Sequence, residues 1–129
     1  MAALSRIMMV EDEPDIQSIA KMALEMVGGF KVEIASSGNQ ALEIVAALAP
    51  DLILLDVMMP GLDGPSTLKA LRAEPATAAI PVVFMTAKAQ PQEVAHFKEL
   101  GALDVIAKPF DPMTLSNTIR DIWKAHYGN

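Results

Sequence analysis

Short apolar runs alternate with longer amphipathic segments along this chain, five times over. Ile7, Met8, Met9 and Val10 form the first run and read as a buried strand. A helix is predicted from near Pro14, with Ile16, Ile19, Ala23 and Val27 at helical spacing on one inward face and Gly28-Gly29 as its stop. Residues 31–35 alternate as a second strand. Residues 38–48 follow as a helix with Ala41, Leu42, Val45 and Leu48 inward, ended by Pro50. Leu52, Ile53, Leu54 and Leu55 are apolar on both faces, as a central parallel strand should be. Pro65 suits the first turn of a helix running to about Arg72. Residues 80–85 make a fourth strand, 91–100 a helix closed by Gly101, 103–107 a fifth strand, and 111–126 the last helix. This alternation predicts an α/β fold, a parallel sheet with helices on both faces. No internal repeat, low-complexity tract or linker interrupts it, so the expectation is one domain over residues 1–129, with its core at about 6–127 and no output domain.

Composition narrows the function classes. With 129 residues, 52% of them hydrophobic, the chain can build a core without metal or disulfide staples. Cysteine is absent, which excludes a disulfide framework and any Cys-based zinc site, and is compatible with a cytoplasmic location. Residues 1–6 are too short and too weakly apolar for a secretory signal. No apolar run approaches the roughly 20 residues of a membrane-spanning helix, and no membrane role is expected. The net charge is −6 and the pI about 4.7, without a basic stripe. Direct nucleic-acid binding is therefore not expected, because phosphate neutralisation supplies most of that affinity. Any transcriptional output would need a partner.

The polar residues carry the chemical argument through their placement. Every apolar strand except the second is followed at its C-terminal end by a group suited to phosphate or metal chemistry: Glu11-Asp12, Asp56, Thr86 and Lys108. In open α/β sheets, ligands bind outside the carboxyl ends of the strands. Three carboxylates gathered there would repel one another unless a cation joined them. Glu11, Asp12 and Asp56 form an all-oxygen set, which suits a hard ion such as Mg²⁺. Lys108 and Thr86 could supply the charge and the hydrogen bond that a phosphoryl group requires. Taken singly, each residue has an ordinary reading as well. Asp12 could cap the first helix, Asp56 could form the turn before Pro60-Gly61, Thr86 could be a cap, and Lys108 could be a solvated lysine. Their joint placement at one sheet edge favours the functional reading.

The stretches Val10-Glu11-Asp12-Glu13-Pro14, Asp56-Val57-Met58-Met59-Pro60-Gly61-Leu62-Asp63-Gly64, Thr86-Ala87 and Lys108-Pro109-Phe110, in that order, resemble the response-regulator receiver family over nearly the whole chain. The resemblance implies a doubly wound five-stranded parallel sheet, order 2-1-3-4-5, flanked by five helices. It implies that Asp12, Asp56 and the Met58 backbone carbonyl bind Mg²⁺ directly, with Glu11 acting through water. Asp56 would be the phospho-acceptor, attacking a phosphohistidine on a sensor histidine kinase or histidine phosphotransfer protein. Lys108 would pair with one phosphoryl oxygen, and Thr86 would move to bond another. Output would be an altered contact with a protein target that the sequence does not identify, or onward phosphorelay.

One departure stands out. The family usually places Tyr or Phe where this chain has Val105. That aromatic normally turns inward as the threonine moves. Phosphorylation here is therefore expected to act mainly through Thr86 and residues 87–92, with the fifth strand nearly static.

A haloacid-dehalogenase-type phosphohydrolase would need a second Asp two positions after the nucleophile, where Met58 stands. A flavodoxin-like nucleotide binder should offer hydrogen-bond donors in its first loop, and Glu11-Asp12-Glu13 offers negative charge instead. A receiver that binds partners without phosphorylation is disfavoured by the complete acceptor set. Met8, Met9 and Met85 are expected in the core and Trp123 in packing on the last helix, while His96 and His126 are expected to lie outside the site.

Overall fold

The five apolar runs become five parallel strands in the computed structural model, which describes residues 3–128. They are β1 (Arg6–Val10), β2 (Lys31–Ala35), β3 (Leu52–Asp56), β4 (Val82–Thr86) and β5 (Asp104–Ala107). The sheet order is β2-β1-β3-β4-β5. Every residue of β3 and β4 is buried, whereas β2 exposes Lys31 and Glu33. Burial on both faces is what the unbroken apolar runs of the central strands require, and the polar alternation of β2 belongs at an edge.

The helices are α1 (Pro14–Met22), α2 (Gly38–Leu48), α3 (Gly64–Ala73), α4 (Pro91–Glu99) and α5 (Leu115–Tyr127), and a π-helical turn (Ala23–Val27) continues α1. Two cores follow from the period-two alternation of the strands. Ile7, Met9, Leu54 and Met85 face Leu24, Ile119 and Trp123 under α1, the π turn and α5. Met8, Val10, Leu55 and Phe84 face Val45, Leu68 and Phe97 under α2, α3 and α4. The sheet is thus covered on both sides, as a doubly wound fold demands. Among the described residues, no helix is long and apolar enough to cross a membrane.

Several boundaries and orientations depart from the sequence expectations. The last helix starts at Leu115, not at Asp111. Residues 112–114 form a preceding turn in which the Met113 amide donates to Asp111 Oδ1 at 2.9 Å. Asp111 therefore caps a turn where a helix start was expected. β4 begins at Val82, not at residue 80, because Pro81 has no amide to donate and the Ile80 amide turns back to the Thr77 carbonyl. β5 begins at Asp104, one residue later than expected. Leu42 and Leu48 point inward on α2 as expected, half-buried against the core that holds Ala41 and Val45.

The largest correction concerns α1. Ile19 and Val27 were expected inward and are 47% and 51% exposed. In the π turn the Gly28 amide reaches back five residues to the Ala23 carbonyl, 3.3 Å away, and buried Ser116 of α5 donates to the same carbonyl. A π turn advances less per residue than an α turn. Ala20 and Leu24, four residues apart, take the inward places, and Val27, which regular helical spacing would bury, turns to solvent.

Candidate functional site

Strand alternation decides which side chains meet at the carboxyl edge of the sheet. Leu54 and Ile106 face the first core, so Asp56 and Lys108, two residues further on, project to the same side. Glu11, two residues past Met9, joins them there. Phe84 faces the second core, and Thr86 follows its direction. The four strand ends therefore split into a group of three and a lone threonine.

Distances follow this division. The Lys108 ammonium donates to Glu11 Oε1 at 2.8 Å and lies 3.1 Å from Asp56 Oδ1. Glu11 is fully buried, and Asp56 is nearly so. Asp12 is half-buried at the N-terminal end of the loop before α1. One carboxylate oxygen from each of Glu11, Asp12 and Asp56 lies within 4.8 Å of the others. Thr86 is buried, but its hydroxyl accepts from the Lys88 amide at 3.1 Å and belongs to a separate hydrogen bond. Met58, two residues beyond Asp56, exposes its side chain in the loop between β3 and α3.

The electrostatics reflect concentrated negative charge in a dry place. Burial pushes the Glu11 carboxyl above its ordinary value. The hydrogen bonds from Lys108 and the Glu13 amide pull it back, and repulsion from Asp56 adds to the rise. For Lys108, burial is the largest single influence and opposes the charge. The hydrogen bonds and attraction from Glu11 and Asp56 together outweigh it and hold the ammonium above its usual value.

Residues 7–120 match the response regulator receiver domain family. The chain is a member of that family. Among curated relatives, the DNA-binding response regulator MtrA of Mycolicibacterium smegmatis is 37% identical over 115 residues, covering 89% of this chain and 49% of that protein. The transcriptional regulatory protein CseB of Streptomyces avermitilis is 38% identical over 122 residues, covering 95% of this chain and 50% of that protein. The receiver chain spans about half the length of these curated relatives. Among solved structures, chemotaxis protein CheY4 of Vibrio cholerae superposes with a TM-score of 0.84 at 29% identity, covering 93% of this chain and 99% of that one. A response regulator from Desulfuromonas acetoxidans gives 0.82 at 29% identity, with 95% and 99% covered. The expected strand order and family are thereby borne out.

The donor set of this receiver fits a hard divalent cation. It consists only of oxygens, it comes from three acids close enough to share one ion, and two of those acids are buried with a single ammonium between them.

Several supporting residues escaped the sequence reading. Gln17 Nε2 donates to the Glu11 carbonyl at 2.6 Å and to Ser36 Oγ at 3.3 Å, tying α1 to the site and to the end of β2. Asp63 caps α3 by accepting from the Ser66 amide at 2.8 Å. A Cβ on Gly64 would lie 2.5 Å from the Asp56 carbonyl oxygen, so glycine is required for α3 to start against the end of β3. The Asp63-Gly64-Pro65 sequence carried a signal for the helix start, but none for the close approach to Asp56. His96 and His126 are exposed on α4 and α5, as expected, and Trp123 is buried in the first core.

Proposed function

We propose that this receiver domain accepts a phosphoryl group on Asp56 from a phosphohistidine of a sensor histidine kinase or histidine phosphotransfer protein. The reaction is Mg²⁺-dependent, and the signal leaves by altered contact with a protein target or by onward phosphorelay. The observation that carries this reading is a buried carboxylate at the end of a central strand, 3.1 Å from a lysine ammonium and clustered with two further acids.

An Asp56 carboxylate oxygen attacks phosphorus, the P–O bond forms as the P–N bond breaks, and the imidazole nitrogen leaves with its electron pair and takes a proton. Little of this is covalent work for the protein; positioning and charge compensation dominate. Lys108 carries its ammonium within reach of a phosphoryl oxygen on Asp56. Glu11, Asp12, Asp56 and the Met58 carbonyl would hold Mg²⁺, Glu11 through water, and the ion would supply positive charge against the remaining oxygens. Thr86, on releasing the Lys88 amide, offers its hydroxyl to a phosphoryl oxygen. An apolar pocket lined by Ile16, Ile19, Ala87, Pro109, Phe110 and Pro112 shares Lys108 with the site. It supports docking of a donor protein, whose side chains could pack beside the reacting histidine.

The test is incubation with acetyl phosphate and Mg²⁺ followed by intact-mass measurement. One added phosphoryl group is expected, and Asp56→Asn should gain none. Equal labelling of Asp56→Asn would sink the assignment.

A further inference from the structure

Seven large hydrophobic side chains are exposed among the described residues, and four of them, Ile19, Met22, Met26 and Val27, lie on α1 and the π turn that continues it. They keep 47%, 60%, 79% and 51% of their surface in water, so their concentration on one helix is a patch and not scatter. Ile19, Met22 and Met26 are three and four residues apart, the spacing that aligns side chains along one helical face. The inward face is complete without them, because Ala20, Ala23 and Leu24 fill it. The π turn that brings Val27 out of the core adds it to the exposed side.

The charges beside this stripe favour one occupant. Lys21 and Glu25 are both exposed, one turn apart on the flank of the stripe. Neither belongs to an ion pair among the described residues. A second copy of the chain, laid antiparallel on the first, answers both. A twofold axis perpendicular to the helix and passing beside Met22 sets Ile19 of one copy against Met26 of the other, since the two residues lie equally far from it. The same axis sets Lys21 of each copy against Glu25 of the other. The patch thus complements itself in spacing and in charge, as an isologous dimer requires. The net charge of −6 opposes association of two copies, so this local match must carry it.

We infer that two copies of this domain pair reversibly through α1, antiparallel about Met22, with Ile19, Met22, Met26 and Val27 at the apolar centre and Lys21 against Glu25 along the edge. One helix pair buries less than the roughly 1,600 Å² of a standard interface, so the dissociation constant is expected above about 1 μM. Ile19 also lines the pocket that contains Lys108, so a paired domain and a docked donor protein compete for it.

Sedimentation equilibrium of the full chain, from low micromolar to millimolar concentration at physiological salt, tests this. Wild type should pass from monomer to dimer. Met22→Glu and Met26→Glu each place a carboxylate in the apolar centre and should weaken association by roughly tenfold or more. Lys21→Glu sets acid against acid and should weaken it by roughly fivefold or more, and adding Glu25→Lys should restore the wild-type constant. All four positions are exposed, and a thermal midpoint near that of wild type shows that each variant is folded. In a chain without cysteine, Met22→Cys should form a disulfide-linked dimer on air oxidation, and Glu43→Cys on α2 should not. Wild type that stays monomeric at millimolar concentration overturns the inference and leaves the stripe to another protein. Undiminished dimerisation of folded Met22→Glu and Met26→Glu, or a double reversal no better than Lys21→Glu alone, overturns the pairing through α1. Acetyl phosphate should label Asp56 equally in wild type and Met26→Glu, so failure of the pairing and failure of the phospho-acceptor reading are told apart.

Discussion

Replacing Lys108 with methionine removes one charge while keeping an apolar stem of similar length. Glu11, fully buried, and Asp56, nearly so, then lose the ammonium that stands 2.8 Å and 3.1 Å from them. Deleting one member of a buried pair costs about 3–5 kcal/mol, because the remaining charge is left uncompensated. The Lys108 side chain keeps 17% of its surface in water, so the expected loss in a Mg²⁺-free buffer near pH 8 is smaller, about 2–3 kcal/mol. The cost must depend on pH. Burial already holds the Glu11 carboxyl above its ordinary value, and removing Lys108 deletes an opposing influence, so the variant's Glu11 binds its proton more tightly still.

The unfolded chain releases that proton at about pH 4.3. Above this and up to the raised native value, the native state binds more protons than the unfolded state. The variant's stability therefore falls as pH rises through this window, by at most about 1.4 kcal/mol per pH unit, and levels off above it. Wild type has the same sign over a narrower window. Urea denaturation of both proteins in chelator at several pH values from about 5.5 to 8 reads the difference directly. The gap should widen as pH rises. A gap that is constant across this range, or below about 0.5 kcal/mol near pH 8, would refute the claim that Lys108 compensates buried carboxylates.

Two further outcomes are expected. With Mg²⁺ at tenfold its dissociation constant, wild type should gain about 1.4 kcal/mol by mass action, and Asp12→Ala should lose most of this gain in a thermal melt; an unchanged wild-type midpoint at millimolar Mg²⁺ would count against a preformed site. Gly64→Ala forces a Cβ to within 2.5 Å of the Asp56 carbonyl oxygen and 2.8 Å of Val57 Cα. Since backbone atoms must shift, urea denaturation should show a loss of about 1–3 kcal/mol, and acetyl phosphate should label the variant more slowly; wild-type behaviour in both assays would mean the loop moves freely.

The sequence reading recovered every strand: unbroken apolar runs mark β1, β3 and β4, buried on both faces, and polar alternation marks the edge strand β2. Its errors cluster where a local signal has a distant cause. Val27 fits the inward stripe of a regular helix, yet it is exposed because a π turn intervenes, and the carbonyl of that turn also accepts from Ser116, 93 residues away. Residues 80 and 81 look like strand by composition, but Pro81 has no amide to donate and the Ile80 amide bonds Thr77, so β4 starts at Val82 although the Pro81 carbonyl still accepts from Ile53. Gly64 reads as a loop residue until α3 is seen to begin against Asp56.

What the sequence determined by itself is the identity of the strand-end residues and the side of the sheet each would face, since both follow from periodicity along single strands. It thereby brought Glu11, Asp12, Asp56, Thr86 and Lys108 to one edge. Only the tertiary structure decided their partners. Lys108 reaches Glu11, 97 residues away, because the order β2-β1-β3-β4-β5 carries the ends of β1, β3 and β5 to one edge. Thr86, one strand from Asp56, is bonded instead to its own loop. Alternation fixes the direction of a side chain, but strand order, register and helix packing set which groups come within a hydrogen bond of one another, and those depend on contacts between segments that no local pattern encodes.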